Sequence, residues 1–188
     1  MAGLLIKRGA RWFGDEPVSV LDHALQCAAR ARAARARDEV VLAALLHDVG
    51  HLVSDAEESA LTHHGQWAAR FLRPFVPARV AWLVEHHVIA KRYLCTVDRT
   101  YAEGLSLGSL RSWLRQGGPL DRAACLVLER EPGLPDLLAL RRWDEAAKEP
   151  GVSVPGVSAY RDLLEACFGR QSWEMCEASA SPSGSAPS

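Results

Sequence analysis

Two neighbouring side chains that bind metals well, His47 and Asp48, follow the apolar run Val40, Val41, Leu42, Leu45 and Leu46 in the stretch Leu45-Leu46-His47-Asp48-Val49-Gly50-His51-Leu52. An ionisable pair at the end of a buried helix is costly unless it finds a partner. Imidazole nitrogen and carboxylate oxygen both suit first-row metals, so a bound cation is the most economical partner. His51 follows His47 by four residues, which predicts that the two share one helical face. A His-Asp dipeptide also arises by chance at helix ends, so its meaning depends on the rest of the chain. Further candidates recur along it: His23, His64, His87 and Asp144. Four imidazoles and two carboxylates are too many for one ion with open positions. They suit two ions sharing a carboxylate, and Asp48, central in the set, is the natural bridge. Taken singly, each has an ordinary explanation as a satisfied core histidine or a surface group.

Helices are the elements that must bring these residues together. One is predicted from about Val18 to Arg35, with Leu21, Leu25 and Ala28 on one face and His23 within it. Asp38 is expected to cap the next, which ends in the His-Asp stretch. A third spans roughly 56–73, carries His63 and His64, and is stopped by Pro74; a fourth covers 78–93 with His86 and His87 in its middle. The segment through Trp12-Phe13-Gly14-Asp15-Glu16-Pro17 reads as turn-like, and 98–118 as loop and short helix closing at Gln116-Gly117-Gly118-Pro119. Helices near 121–131, from Pro135 through Trp143 and Asp144, and near 158–168 complete the ordered part. Neither an internal repeat nor an alternating strand pattern is present, so the expected fold is all-α, a single compact helical bundle. Each ligand candidate falls on a different helix, the His47–Asp48 pair excepted.

The 188 residues fit one domain with a substantial core, and 48% hydrophobic content excludes wholesale disorder. A net charge of -1 gives no general reason to expect nucleic acid or an acidic membrane as partner. Leu4-Leu5-Ile6 is the only apolar run near the start, so no signal peptide or membrane span is expected, and a cytoplasmic location follows. Cys27, Cys95, Cys125, Cys167 and Cys176 are dispersed without a C-x-x-C pair, which suits reduced thiols better than disulfides or a structural zinc. Residues 1–170 are read as the metal-binding domain. Residues 171–188 are read as a disordered tail, since from Ser179 onward the chain holds only Ser, Ala, Pro and Gly.

The order His, His-Asp, two His, Asp resembles the HD-domain superfamily of metal-dependent phosphohydrolases and oxygenases. A narrower resemblance lies in His87-Val88-Ile89-Ala90-Lys91-Arg92-Tyr93-Leu94, Gln116-Gly117-Gly118-Pro119 and Leu140-Arg141-Arg142-Trp143-Asp144. These blocks are similar to the HD-domain mixed-valent di-iron oxygenases that break down organophosphonates, of the 2-amino-1-hydroxyethylphosphonate dioxygenase-like type. The similarity extends from about Phe13 to Lys148. It implies two iron ions held by His23, His47, Asp48, His64, His87 and Asp144, with Asp48 bridging. It favours His64 over His63, because the small Ala68 and Ala69 follow as in the family, and His87 over His86, because Lys91 lies one turn on.

The resemblance further implies a small-molecule organophosphonate as substrate and O2 as cosubstrate. Oxidation of the carbon next to phosphorus in a 1-hydroxyphosphonate would cleave the C–P bond, giving phosphate and a carboxylic acid. Lys91, four residues after His87, and Arg141, three before Asp144, are placed to face the metals and hold a phosphonate through charge-assisted hydrogen bonds. Arg142 keeps an ordinary solvated role. His51 corresponds to a family residue near the substrate, and Ser109 and Gln116 are further candidate donors. Where the family has a tyrosine able to occupy an iron position, this chain has Phe13, followed three residues later by the acidic Glu16 that takes part in the exchange. Phe13 has no oxygen, and the Trp12 indole only donates, so the gate must differ here.

Two other classes compete with this reading. An HD phosphohydrolase acting on a nucleotide or another phosphate ester would use similar ligands to activate water. A non-catalytic HD scaffold would have lost ligands, and none is lost here. A polyol-cleaving oxygenase shares the di-iron core but leaves Lys91 without its phosphonate.

Overall fold

The structure is a computed structural model, and it describes residues 1–53 and 57–169. The expected tail, 171–188, lies outside the described residues, as do Cys176 and the predicted helix start at 56. Among the described residues the chain is helical and carries no strand. One isolated antiparallel bridge joins Trp12 to Ser19. The all-α expectation holds, and no described helix is long and apolar enough to cross a membrane.

The core is built around α3, Asp38–Leu46, in which every residue from Val40 to Leu46 is buried. A helix apolar on all sides must be enclosed by others. Here α2 (Val20–Ala33), α6 (Ala78–Val97) and α10 (Leu134–Ala146) surround it. Helix α5 (Glu57–Leu72) packs along α6 and against the short α4 (Gly50–Val53). Ser19 caps α2, its hydroxyl accepting from Asp22 N at 3.0 Å; Pro135 lies in the first turn of α10. Helices α7 (Arg99–Glu103), α8 (Leu107–Arg115) and α9 (Arg122–Leu128) follow α6 and lead into α10. A 3-10 turn, Val157–Tyr160, leads into α11, Arg161–Phe168.

Several sequence expectations are corrected. The first segment contains a helix, α1 (Ala2–Arg8), where turns were expected; its arginine reaches across to α4, with Arg8 Nη1 donating to Leu52 O at 2.7 Å. Asp38 is the first residue of α3 rather than its cap; Arg37 holds the cap position without a side-chain bond. Helix α6 continues one turn beyond the expected end, to Val97. The His-Asp stretch also breaks: α3 stops at Leu46. Val49 N, His51 N and Leu52 N then bond to carbonyls three residues back, at 3.1, 3.0 and 2.8 Å. His47 and His51 therefore belong to separate elements, not to one face of a continuous helix.

Candidate metal centre

Each ligand candidate comes from a different place in the bundle, and their polar ends meet at its centre. His23 is on α2, His47 is the C-cap of α3, Asp48 follows in the tight turn, His64 is on α5, His87 on α6 and Asp144 on α10. All six are buried, with 6% exposure or less. The two Asp48 oxygens face different groups. Oδ2 lies 3.5 Å from His23 Nε2 and 3.3 Å from His47 Nε2, while Asp144 Oδ1 is 3.3 Å from His23 Nε2. Oδ1 lies 3.4 Å from His64 Nε2 and 3.5 Å from His87 Nε2. His51 Nε2 stands further out, 3.9 Å from the same oxygen. Two ligand clusters result, His23–His47–Asp144 and His64–His87, with Asp48 between them.

The chemistry of these donors fits a pair of cations. His23 Nδ1 is 2.9 Å from Ala147 O, His47 Nδ1 2.9 Å from Ala44 O, and His87 Nδ1 2.6 Å from Val84 O. A carbonyl accepts only, so each Nδ1 carries the proton and each Nε2 presents a lone pair inward. His23 and His47 then bring Nε2 atoms within 3.1 Å of each other, and His64 and His87 within 2.9 Å. The His23 and His47 lone pairs, so close, require positive charge between them. Asp48 Oδ1 is fully buried and makes no hydrogen bond. The titration shifts have the same sign: burial opposes protonation of His47, yet Asp48 and Asp144 push its pKa up to about 10. Burial alone would raise Asp48, but His47 and the other imidazoles hold its carboxyl well below the usual range.

The ring positions separate the adjacent histidines. His63 is exposed and His64 buried. His86 turns away from the centre, stacking on Trp82 at 4.7 Å, with Nδ1 2.8 Å from Trp82 O. Glycine makes the His64 position possible: a Cβ on Gly50 would collide with His64 O, and one on Gly65 would lie 3.1 Å from Glu85 O and Val84 O. The backbone of α5 therefore sits directly against α4 and α6. On the α2 side, the Gln26 amide clasps Glu149, donating to its carbonyl at 2.8 Å and accepting from its N–H at 3.2 Å. This clasp holds the segment after α10 so that Ala147 O meets His23.

A cleft of about 480 Å³ opens from the centre, floored by Asp48, His64, His87 and Asp144. His51, Ser109 and Arg141, three of the residues expected on the substrate side, are in its wall, together with Phe13 and Glu16 of the expected gate. The His51 ring stacks on His64 at 4.3 Å, and burial lowers its pKa. The Phe13 ring stacks on His23 at 4.4 Å, so a phenyl face covers the ligand where a phenol oxygen was missing.

Lys91 and Gln116 are not in that wall. Lys91 is buried beside the centre, behind the cleft-lining Ser112, whose Oγ accepts from its Nζ at 2.7 Å; burial, with Arg141 nearby, brings its pKa down to about 7. Gln116 ends α8, where Arg92 Nε donates to Gly118 O at 2.9 Å and the positive φ of Gly117 and Gly118 shapes the turn. Arg141 does reach the cleft, already engaged: it pairs with Asp144 and Glu145 and donates to Tyr101 Oη at 2.7 Å. Burial disfavours its charge, but Asp144 and Glu145 raise its pKa. Missed in the sequence were Lys148, Ser112, Arg11, Arg111 and Arg115, all in the cleft wall. Positions such as Lys148, just past a helix end, ordinarily read as solvated charge.

Comparison with known proteins adds to this geometry. Residues 18–127 match the HD domain. The chain is 40% identical over 163 residues to hydroxymethylphosphonate dioxygenase of Gimesia maris, covering 83% of this chain and 81% of that protein. It is 34% identical over 170 residues to the glycine-betaine-forming 1-hydroxy-2-(trimethylamino)ethylphosphonate dioxygenase of Leisingera caerulea, covering 88% and 87%. The chain belongs to the HD-domain family and is a relative of these two dioxygenases within it.

Proposed function

We propose that this protein is a di-iron dioxygenase that oxidises the carbon bearing phosphorus in a 1-hydroxyphosphonate and cleaves the C–P bond. The observation that carries the reading is Asp48, whose two oxygens each face a separate cluster of inward-pointing imidazoles. Its named relatives, both hydroxyphosphonate dioxygenases, support the substrate class. His23, His47 and Asp144 would hold one iron, His64 and His87 the other, with Asp48 shared. When bound, the irons supply the redox chemistry that couples O2 to removal of the substrate's C–H hydrogen.

The chain's own residues do the remaining work. Ser109 and Arg141 line one wall and present hydroxyl and cationic donors to the phosphonate oxygens. Opposite, neutral His51 reaches the cleft through Nε2, where it can hold the substrate hydroxyl; its backbone carbonyl is fixed by Arg11. Phe13 keeps water from the His23 side. For hydroxymethylphosphonate the balance is one O2 consumed per phosphate and formic acid released.

Anaerobic purification, iron quantification and electron paramagnetic resonance test the proposal. A mixed-valent signal perturbed by hydroxymethylphosphonate, with phosphate release that requires O2, is expected. Iron-free protein that hydrolyses phosphate esters at full rate without O2 would overturn it in favour of a phosphohydrolase.

A further inference from the structure

Apart from Asp48 and Asp144, the carboxylates lining the cleft among the described residues are Asp15 and Glu16. Asp15 sits at the exposed rim, paired with Arg111 at 2.5 Å. Glu16 lies deeper, 9% exposed, and it is matched by a cation: Lys148 Nζ is 3.1 Å from Oε1, which also accepts from Ser106 Oγ at 2.5 Å. Lys148 is itself fixed by Ser109 Oγ at 2.6 Å, Ser106 Oγ at 3.0 Å and Glu145 Oε1 at 3.1 Å. Gly108 admits this arrangement, since a Cβ there would lie 2.5 Å from Glu16 Oε1.

The two named relatives act on hydroxyphosphonates that differ in charge at one place: one bears no cationic group, the other a trimethylammonium. A buried cation needs a carboxylate or aromatic faces beside it. In this cleft the Glu16 charge is already offset, and Arg115 adds positive charge to the same wall. One face of Phe13 is taken by His23 and its ring also meets His51 at right angles, which leaves exposed Trp12 as the lining non-imidazole ring without a ring partner. One aromatic face open to water is a poor cage.

We propose that Lys148, by pairing with Glu16, sets the charge of the accepted substrate. The cleft takes hydroxyphosphonates with an uncharged substituent, hydrogen included, and rejects those carrying an ammonium group. This rests on the proposed hydroxyphosphonate activity and narrows it. Lys148 is a specificity-determining residue here: it acts on the substituent through Glu16.

The test compares the iron-loaded enzyme on hydroxymethylphosphonate, 2-amino-1-hydroxyethylphosphonate and its trimethylammonium analogue. It reads kcat/KM from phosphate release and, separately, anaerobic affinity by calorimetry. The wild type is expected to favour the uncharged substrate by tenfold or more, about 1.4 kcal/mol. Lys148→Met should move that ratio about tenfold toward the ammonium compounds, Lys148→Arg should restore it, and Glu16→Gln added to Lys148→Met should cancel the gain. Glu16→Gln alone should leave the ratio within about threefold, because the carboxylate is already matched. That variant keeps the proposal falsifiable if Lys148→Met does not fold. A wild type that binds the ammonium compounds as well as hydroxymethylphosphonate, or a Glu16→Gln variant that loses only those compounds, overturns it. Calorimetric discrimination without any phosphate release would instead leave the charge selection standing and overturn the oxygenase reading.

Discussion

At the scale of single residues, the centre depends on which nitrogen carries the proton. Three imidazoles give their Nδ1 hydrogens to main-chain carbonyls, and this fixes ring orientation before any ion arrives. Asp48→Asn keeps the shape but removes the shared negative charge, so on the proposed di-iron reading iron content should fall from about two per chain to below one, measured by metal analysis. His64→Ala should lose about half of the iron, whereas His63→Ala, at an exposed position, should lose none. Chemistry alone could not choose between those neighbours in the sequence, because they are the same residue side by side. Burial distinguishes them, and burial follows from helix packing. Lys148 was illegible for a related reason: its partners Glu16, Ser106, Ser109 and Glu145 come from three separate segments.

At the scale of elements, close helix approach positions the ligands. Gly50 touches the His64 backbone, so α4 and α5 meet without a side chain between them. Gly50→Ala must push them apart. The expected cost is about 3 kcal/mol, seen as a fall in Tm of roughly 6–12 °C together with loss of iron from the His64–His87 side. Apolar patterning revealed the long helices, α2 and α5 through an apolar stripe and α3 through an unbroken apolar run. It failed at 47–51, where a continuous 3.6-residue repeat was assumed through a turn that tightens to three-residue bonds. It also failed at α1, whose seven residues are too few to display a period and are settled by contacts with α4. Lys91 shows what spacing does and does not give: its distance from His87 placed it on the correct helix and turn, while its partner Ser112 comes from α8, which no pattern on α6 announces.

At the scale of the whole molecule, the proposed ligands join five helices, so bound metal would cross-link the bundle. Ligands that bind the folded state alone stabilise it by mass action, by about 4 kcal/mol at a thousandfold excess over Kd. Stripping the protein with a chelator should therefore lower Tm by roughly 8–16 °C in scanning calorimetry, and iron added anaerobically should restore it. An unchanged Tm would count against a structural role for the metals. The all-α class was legible from the sequence because no segment alternates and apolar runs recur at helical spacing. The cleft was not, since its walls come from the 11–16 turn, α8 and the end of α10, which share no pattern.

The turn between α1 and α2 is tied to the start of α2 through main-chain bonds, Phe13 N to Val18 O at 3.0 Å and Val20 N to Arg11 O at 3.0 Å. It contributes Phe13 and Glu16 to the cleft but none of the six proposed ligands. This turn can therefore change, and with it the fit of a substrate's outer end, without touching any residue proposed to hold metal.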